Sequence, residues 1–300
     1  MKTASREVVY RTHSPENKPS LLVEQGEVFR VQTELNGGKW LQSITDRWDP
    51  TKSQGPNLSV CVEVAGAKPG EVLAVEVLDI SVDNIGYTGF AGWRLGLCQE
   101  ILPNDWDVVT KTVAIEDGYV LWSDELKIPV SPMVGTLGTA PAQGEVSNAL
   151  AHKHGGNMDV QEVCAGATIY LPVNVPGALL HIGDVHAVMG DGEINNGGGI
   201  ECRGEVTLRV RCLPRPKSME WLRMENEQYL MTVACENDTK ASFCAATREL
   251  IRWMEEEYGM EQQEAYLLLG QVLEARCTVF VSPMYSYICK IDKQYLPKKR

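Results

Sequence analysis

The chain has 300 residues, of which 44% are hydrophobic and 23% charged, an ordinary composition for a globular protein. Its 40 acidic and 28 basic residues give a formal net charge of −12 at pH 7. This acidity argues against a nucleic-acid binder, which needs a basic face, and against a protein that binds membrane surfaces through basic clusters.

The first residues of the chain and the spacing of its cysteines bear on where in the cell the protein is located. The first residues, MKTASRE, lack the apolar core of a signal peptide, and no run reaches the roughly 18 apolar residues that span a bilayer. The nine cysteines are scattered without a Cys-x-x-Cys pair, which argues against a disulfide framework. We therefore expect a cytoplasmic protein with no membrane partner.

Residues 1–214 predict a β-rich body. Two apolar runs flank a Pro-Gly turn within residues 60–82 and predict a hairpin, and residues 168–182 predict a second one in the same way. Residues 205–211 alternate as a strand does. Both turns follow an Ala-Gly-Ala segment, and this shared sequence pattern fits an internal duplication.

After residue 214 the pattern becomes helical. Apolar residues from Phe243 to Tyr258 follow a 3.6-residue period that Gly259 would end, and residues 261–275 predict a second helix. The sequence thus predicts an α+β protein. It would have a sandwich- or barrel-like catalytic body over 1–214 and a C-terminal α/β segment over 215–300 packed on it.

The acidic residues are concentrated where basic ones are missing. No Lys or Arg occurs between His154 and Cys202, although this stretch holds six carboxylates, at Asp159, Glu162, Asp184, Asp191, Glu193 and Glu201. Carboxylates without basic neighbours must be solvated, protonated or bound to a cation. The stretch is therefore where we expect chemistry.

Its most informative part is the string GDVHAVMGDGE at residues 183–193. Residues two apart share a face of an extended chain, so Asp184 and His186 point the same way, as do Asp191 and Glu193 if their segment is extended. Glycines let the backbone bend and approach a ligand closely. An imidazole among carboxylates suits Zn²⁺ or another divalent ion.

Each of these residues also has an ordinary structural interpretation. Asp191 followed by glycine is typical of a hairpin turn, Asn157 after two glycines is typical of a turn, and His186 could equally be a structural histidine. The combination of carboxylates, histidine and glycines without basic neighbours favours a site over these separate interpretations.

The string at 183–193 resembles the signature of the acetamidase/formamidase family. Further segments follow in that family's order, namely GAKPGEVL at 66–73, GTLGTAP at 135–141 and GGNMD at 155–159. The resemblance implies an amidohydrolase that converts a small aliphatic amide, formamide or acetamide, to ammonia and the carboxylate. The sequence has no Gly-x-Ser-x-Gly elbow and no His-Glu-x-x-His helix, so water activated by a metal is the economical nucleophile.

We assign site roles on this basis. Asp159, Asp184 and His186 would hold a divalent cation, with Zn²⁺ favoured and Ca²⁺ as the alternative. Glu193 would be the general base, assisted by Asp191, and Asn157 with Gly156 would bind the amide. Family members associate, so we expect a homodimer or a higher homo-oligomer. No role follows for the remaining central histidines, His152, His154 and His181.

Two other functions compete with this one. An acidic glycine-rich loop could hold Ca²⁺ purely structurally in a binding or storage protein, although His186 would be a poor ligand for that ion. A related hydrolase could instead act on a larger or cyclic amide, which a wide pocket would favour.

Overall fold

A computed structural model of the chain describes residues 1–91, 97–102 and 107–299. Within these ranges β-strands predominate, and the predicted β-rich α+β class is confirmed. The first ten strands are β1 (Lys2–Ala4), β2 (Thr12–His13), β3 (Leu21–Val23), β4 (Val28–Thr33), β5 (Ser59–Val64), β6 (Glu71–Ala91), β7 (Val108–Glu116), β8 (Tyr119–Leu121), β9 (Lys127–Pro129) and β10 (Met133–Thr139). The next ten are β11 (Val146–Ser147), β12 (Ala151–His152), β13 (Gly155–Asn157), β14 (Thr168–Pro172), β15 (Leu180–His186), β16 (Glu201–Pro214), β17 (Leu222–Glu225), β18 (Tyr229–Glu236), β19 (Glu274–Cys277) and β20 (Tyr285–Asp292).

Helices are few and lie mainly near the C-terminus: α1 (Leu97–Ile101), α2 (Thr239–Tyr258) and α3 (Gln262–Val272). The Asp238 side chain caps α2 by accepting from the Ala241 N–H, and Gly259 ends it with a φ of 67°, as the sequence predicts. The helix predicted over 261–275 ends earlier because β19 begins there. In the part of the chain that the structure describes, no helix has both the length and the apolar character required to cross a bilayer.

The two longest strands, β6 and β16, form the spine of the sheet. They pair antiparallel from Glu71 opposite Pro214 to Tyr87 opposite Glu201, with two register shifts. Alternate side chains of both strands, such as Val75, Val77, Val206, Leu208 and Val210, lie buried in the main apolar core. This alternation is why the sequence pattern identified these segments as strands.

The predicted hairpins are wrong in their pairing, although their strands exist. Strand β5 pairs with β3 and β15, whereas β6 pairs with β7, β14 and β16. Strands β14 and β15 likewise do not pair with each other. The first strand of each predicted hairpin instead pairs with the second strand of the other: β5 pairs with β15, and β14 pairs with β6. This reciprocal pairing of two similar units is the arrangement that an internal duplication would produce.

The C-terminal segment continues the same sheet. Strand β17 pairs with β14 of the body and with β18, which pairs with β20, and β20 pairs with β19. Helix α2 packs on β18 and β20. A buried ion pair joins β17 to α2, with Arg223 Nε 2.7 Å from Glu249 Oε1. Glu249 also accepts from the backbone N–H of Glu220 and Trp221, so its charge is fully satisfied.

Four neighbouring strands bring the central part of the sequence together. Strand β10 lies between β13 and β15, with Thr136 opposite both Asn157 and Gly183. On the far side of β15, His186 is opposite Glu201 of β16. This register places the end of β13, the end of β15 and the start of β16 at one edge of the body.

Candidate active site

A cluster of acidic residues around one histidine is buried where these strands meet. Asp184 and His186 come from β15, Glu201 begins β16, Asp159 follows β13, and Glu193 lies on the loop between β15 and β16. The exposed fraction is 0% for Asp159 and His186, 1% for Glu201, 2% for Asp184 and 9% for Glu193. So many buried charged groups need a specific explanation, because charged groups lose favourable hydration on burial.

His186 is the centre of the cluster. Its Nε2 lies 3.7 Å from Asp184 Oδ1 and 3.5 Å from Glu201 Oε2, so the predicted convergence of Asp184 and His186 is present. Ligand atoms of Asp159, His186 and Glu193 all lie within 4.8 Å of one another, as do those of Asp184, His186 and Glu201. The two sets share His186, so all five residues belong to one cluster.

Several buried polar atoms of this cluster lack hydrogen-bond partners within the described part of the chain. No described residue forms a hydrogen bond with any of six atoms: the two carboxylate oxygens of Asp159, Oδ1 of Asp184, the two ring nitrogens of His186 and Oε2 of Glu201. Buried polar atoms are nearly always paired in native proteins. The orphaned acceptors therefore fit a divalent cation, for which carboxylates and a neutral imidazole are suitable ligands.

The close packing of buried carboxylates also shifts the pKa values of the cluster. Burial and then the Asp184 carboxylate raise the pKa of Asp159 to about 7. Burial and neighbouring carboxylates also raise the pKa of Glu193 and of Glu201 well above the usual range. Burial lowers the pKa of His186, but the Glu201, Asp184 and Asp159 carboxylates outweigh it and raise that pKa to about 10. Without a cation, protons would neutralise the cluster.

The backbone is strained at the cluster. Asp159, Asp184 and Glu193 have φ values of 46°, 59° and 38°, in the left-handed region that non-glycine residues rarely occupy. Asn57, with a φ of 50°, lies beside them. Such strain costs of order 1–3 kcal/mol per residue and accumulates at functional sites, where a side chain must be aimed in one direction.

Gly135 of β10 leaves the space that the carboxylates fill. A Cβ at this position would lie 2.3 Å from Asp159 Oδ1 and 2.7 Å from Asp184 Oδ2. No other residue type can therefore stand there without displacing both carboxylates.

Amides and a hydroxyl hold the surroundings of the cluster. Asn36 donates to Glu201 Oε1 at 2.9 Å, and Thr136 donates to Asn157 Oδ1 at 2.9 Å. Asn57 donates to the same Asn157 oxygen through a short hydrogen bond. Because that oxygen accepts twice, the Asn157 amide is fixed with its NH₂ group as the donor left for a ligand.

The cluster opens into a cavity of about 550 Å³. Its buried end includes Asn57, Asn157 and Glu193, and its outer walls include Trp48 and Phe90. Glu193 and Asn157 thus connect the carboxylate cluster to space that a small molecule can enter.

Two of the predicted site residues lie apart from the cluster. Asp191 is 68% exposed, 2.8 Å from Arg276 Nε, and accepts from Gln161. Asp191 was expected to share a face with Glu193 only if their segment is extended, and it is not, because left-handed Gly192 and Glu193 turn the chain. Gly156 is not among the described residues that line the cavity. A Cβ there would meet the Leu150 carbonyl oxygen at 2.3 Å, so the glycine allows close backbone packing.

Sequence reasoning assigned no role to Glu201, Asn36, Asn57 or Thr136. Glu201 was detectable, since it belongs to the stretch without basic residues. Asn36 and Asn57 carried no signal, because they lie 165 and 100 residues from their partners Glu201 and Asn157.

The remaining histidines form a separate group. The His13 ring lies 5.0 Å from that of His154 and 4.6 Å from that of His181 between centroids. Burial lowers the pKa of His154 to about 4 and that of His181 to about 3, so both are neutral. His152 is exposed and packs against Trp221.

Comparison with known proteins agrees with the sequence resemblance. The model of the Acetamidase/Formamidase family matches residues 1–149 and 146–284. An acetamidase from Mycolicibacterium smegmatis is 24% identical, over 85% of this chain and 83% of its own. A Schizosaccharomyces pombe protein named as a formamidase is 28% identical over 69% of this chain, which spans 64% of that protein's length. The crystal structure of an acetamidase/formamidase from Thermoanaerobacter tengcongensis superposes with a TM-score of 0.89 at 28% identity, over 98% of this chain and 96% of that one. The chain therefore belongs to the Acetamidase/Formamidase family.

Proposed function

We propose that this protein hydrolyses small linear amides, formamide or acetamide, to ammonia and the carboxylate with the help of a bound divalent cation. The observation that carries the proposal is the buried cluster of carboxylates around His186, which opens into a cavity beside the fixed amide of Asn157. Membership of the family supports amide hydrolysis as the reaction.

The cation would be held by Asp159, Asp184 and His186, with Glu201 as a further oxygen ligand, because Asp184 and Glu201 both lie within 4 Å of His186 Nε2. The orphaned acceptor atoms of these residues support this assignment. An imidazole among the donors favours Zn²⁺ over Ca²⁺, which prefers oxygen ligands alone. A divalent cation there would act as a Lewis acid on the amide carbonyl and increase the acidity of water.

Glu193 is the residue best placed to move protons. It lines the cavity and is the neighbour of Asp159 in the cluster, and burial raises the pKa of its carboxyl above the usual range, which strengthens it as a proton acceptor. As a C–O bond forms to water, Glu193 would take the water proton. It would then return the proton to the nitrogen as the C–N bond breaks and ammonia leaves.

Asn157 would orient the amide. Its oxygen is occupied by Thr136 and Asn57, so its NH₂ group can donate to the substrate carbonyl as negative charge develops there. Asp191 has no place in this scheme, because its side chain is exposed and paired with Arg276. Association into a homo-oligomer and a cytoplasmic location remain predictions.

The experiment compares two carboxylates of one loop in purified, metal-analysed protein. Glu193→Gln should lower kcat for ammonia release from formamide or acetamide by about 100-fold or more while the metal content is retained, since general acid–base catalysis contributes about 10²–10⁴-fold. Asp191→Asn, the matched control, should keep wild-type turnover. Full activity of Glu193→Gln would exclude it as the base, and loss of its metal would make it a ligand. Turnover that survives complete chelation would remove the cation from the reaction.

A further inference from the structure

The cavity is much larger than the amides considered so far. One water-sized heavy atom takes about 30 Å³ in a liquid, so acetamide with four heavy atoms needs on the order of 120 Å³. The cavity holds about 550 Å³, within the range of roughly 300–1,000 Å³ typical of sites for drug-sized ligands. Most of its volume would stay empty of substrate if acetamide were the preferred one.

The cavity walls combine apolar rings with neutral polar groups. The inner end is formed by buried polar groups, Asn57, Asn157 and Glu193, whereas the outer part includes the half-buried rings of Trp48 and Phe90. Further apolar surface comes from Pro56, Val281 and Pro283, and neutral polar groups come from Asn36, Ser53, Thr110, Asn196 and Ser282. Aromatic rings provide a large contact area with little conformational freedom to lose, and they pack well on other rings.

Charge is scarce along these walls. Of the described residues that line the cavity, only Glu193 and Arg11 have an acidic or a basic side chain, and Arg11 is an exposed residue. An uncharged substrate that enters therefore exchanges water for apolar surface without burying a charge next to another one.

From these observations we propose that the preferred substrates are neutral linear amides whose acyl group is bulky and apolar, with an aromatic ring as the best fit. The amide group would lie at Asn157 and Glu193, and the acyl group would extend along the cavity wall that includes Trp48 and Phe90. This inference rests on the proposed amide hydrolysis and names the substrate class that the same site would select. Formamide and acetamide would fill only the inner end of the cavity.

The size of the effect follows from apolar burial. In a hydrophobic pocket a single methylene changes kcat/KM by about 10- to 200-fold. We expect kcat/KM to rise from acetamide through butyramide to hexanamide, and to be at least about 10-fold higher for phenylacetamide than for acetamide.

The test measures this series with the metal-loaded enzyme and two matched variants. Phe90→Ala removes a half-buried ring that lines the cavity, whereas Phe243→Ala removes a half-buried ring on α2, outside it. Phe90→Ala should lower the phenylacetamide-to-acetamide ratio of kcat/KM by about 10-fold, and Phe243→Ala should leave the ratio at the wild-type value. Equal kcat/KM for acetamide and phenylacetamide, or an unchanged ratio in Phe90→Ala, would overturn the inference.

Binding separates failure of this inference from failure of the proposed function. Calorimetry on Glu193→Gln, which should bind without turning over, would compare phenylacetamide with acetamide. Tighter binding of phenylacetamide supports the inference, and equal binding overturns it. If no amide in the series is hydrolysed by the metal-loaded wild type, the proposed function fails, while the binding comparison still decides what occupies the cavity.

Discussion

Gly135 offers a direct test of how closely the carboxylates must be placed. An added Cβ would lie 2.3 Å from Asp159 Oδ1 and 2.7 Å from Asp184 Oδ2, whereas ordinary contacts begin at 3.4 Å. The Asp159 oxygen would therefore have to move by about 1 Å. Misplacement by about 1 Å at a reacting centre can cost about 100-fold in rate, or about 2.7 kcal/mol. We expect Gly135→Ala to lower kcat/KM for acetamide by at least this factor.

The fold itself should tolerate this substitution. Gly135 lies within β10 and does not have the left-handed backbone that would strain an alanine. The crowding, which includes the Asp184 carbonyl oxygen at 3.0 Å from the added Cβ, should cost about 1–3 kcal/mol of unfolding free energy without metal. The stabilisation that Zn²⁺ adds should decrease as well, because ligand stabilisation depends on affinity. Differential scanning fluorimetry with and without Zn²⁺, paired with ammonia release, separates the two effects.

Gly190→Ala is the matched control. This glycine lies on the same loop as Glu193, has no left-handed φ, and a Cβ there would meet nothing within 4 Å. It should keep wild-type activity and metal response. If Gly135→Ala also kept wild-type kcat/KM and the full Zn²⁺ stabilisation, the carboxylates would not need the placement that the structure shows, and the argument for the site would fail.

Two further predictions concern pH. In the folded protein the pKa of Asp159 is raised to about 7 and that of His186 to about 10. Each group therefore stabilises the fold at low pH, and this contribution is lost as the pH rises through the folded-state pKa. Zn²⁺ should therefore raise Tm more at pH 8 than at pH 5, and an equal rise would contradict the assignment. The lowered pKa of His154 acts in the opposite sense, since its stability is full above the unfolded value near 6.5 and is lost as pH falls toward about 4. His154→Gln should remove about 2 kcal/mol of the stability difference between pH 8 and pH 5, measured by urea unfolding, and an unchanged pH slope would refute this.

Local features of the fold could be predicted from the sequence, and strand pairing could not. The apolar period and Gly259 located the end of α2 because a helix is determined by neighbouring residues. Alternation likewise identified β5, β6, β14 and β15 as strands. Their partners depend on contacts across the whole chain, so the assumption that consecutive strands pair, which holds for roughly two-thirds of cases, failed here twice.

The site divides in the same way. Asp159, Asp184, His186 and Glu193 could be found because they stand close in sequence in a stretch without basic residues. Asp191 was misplaced because left-handed backbone at two successive residues redirects the chain, which composition does not reveal. Asn36 and Asn57 were missed because an isolated asparagine has no pattern, and only the fold brings it to its partner.

Three independent departures from ordinary protein structure coincide at this cluster. Several buried carboxylate oxygens lack hydrogen-bond partners among the described residues, the backbone is left-handed at Asp159, Asp184 and Glu193, and Gly135 leaves a space that any side chain would close. Each feature costs stability, and a core built only for folding would replace all of them with apolar side chains. Their convergence beside one cavity, which Glu193 lines, supports a chemical role for the cluster over a purely structural one. Part of the excess negative charge of the sequence thus belongs to a buried site and not to the surface.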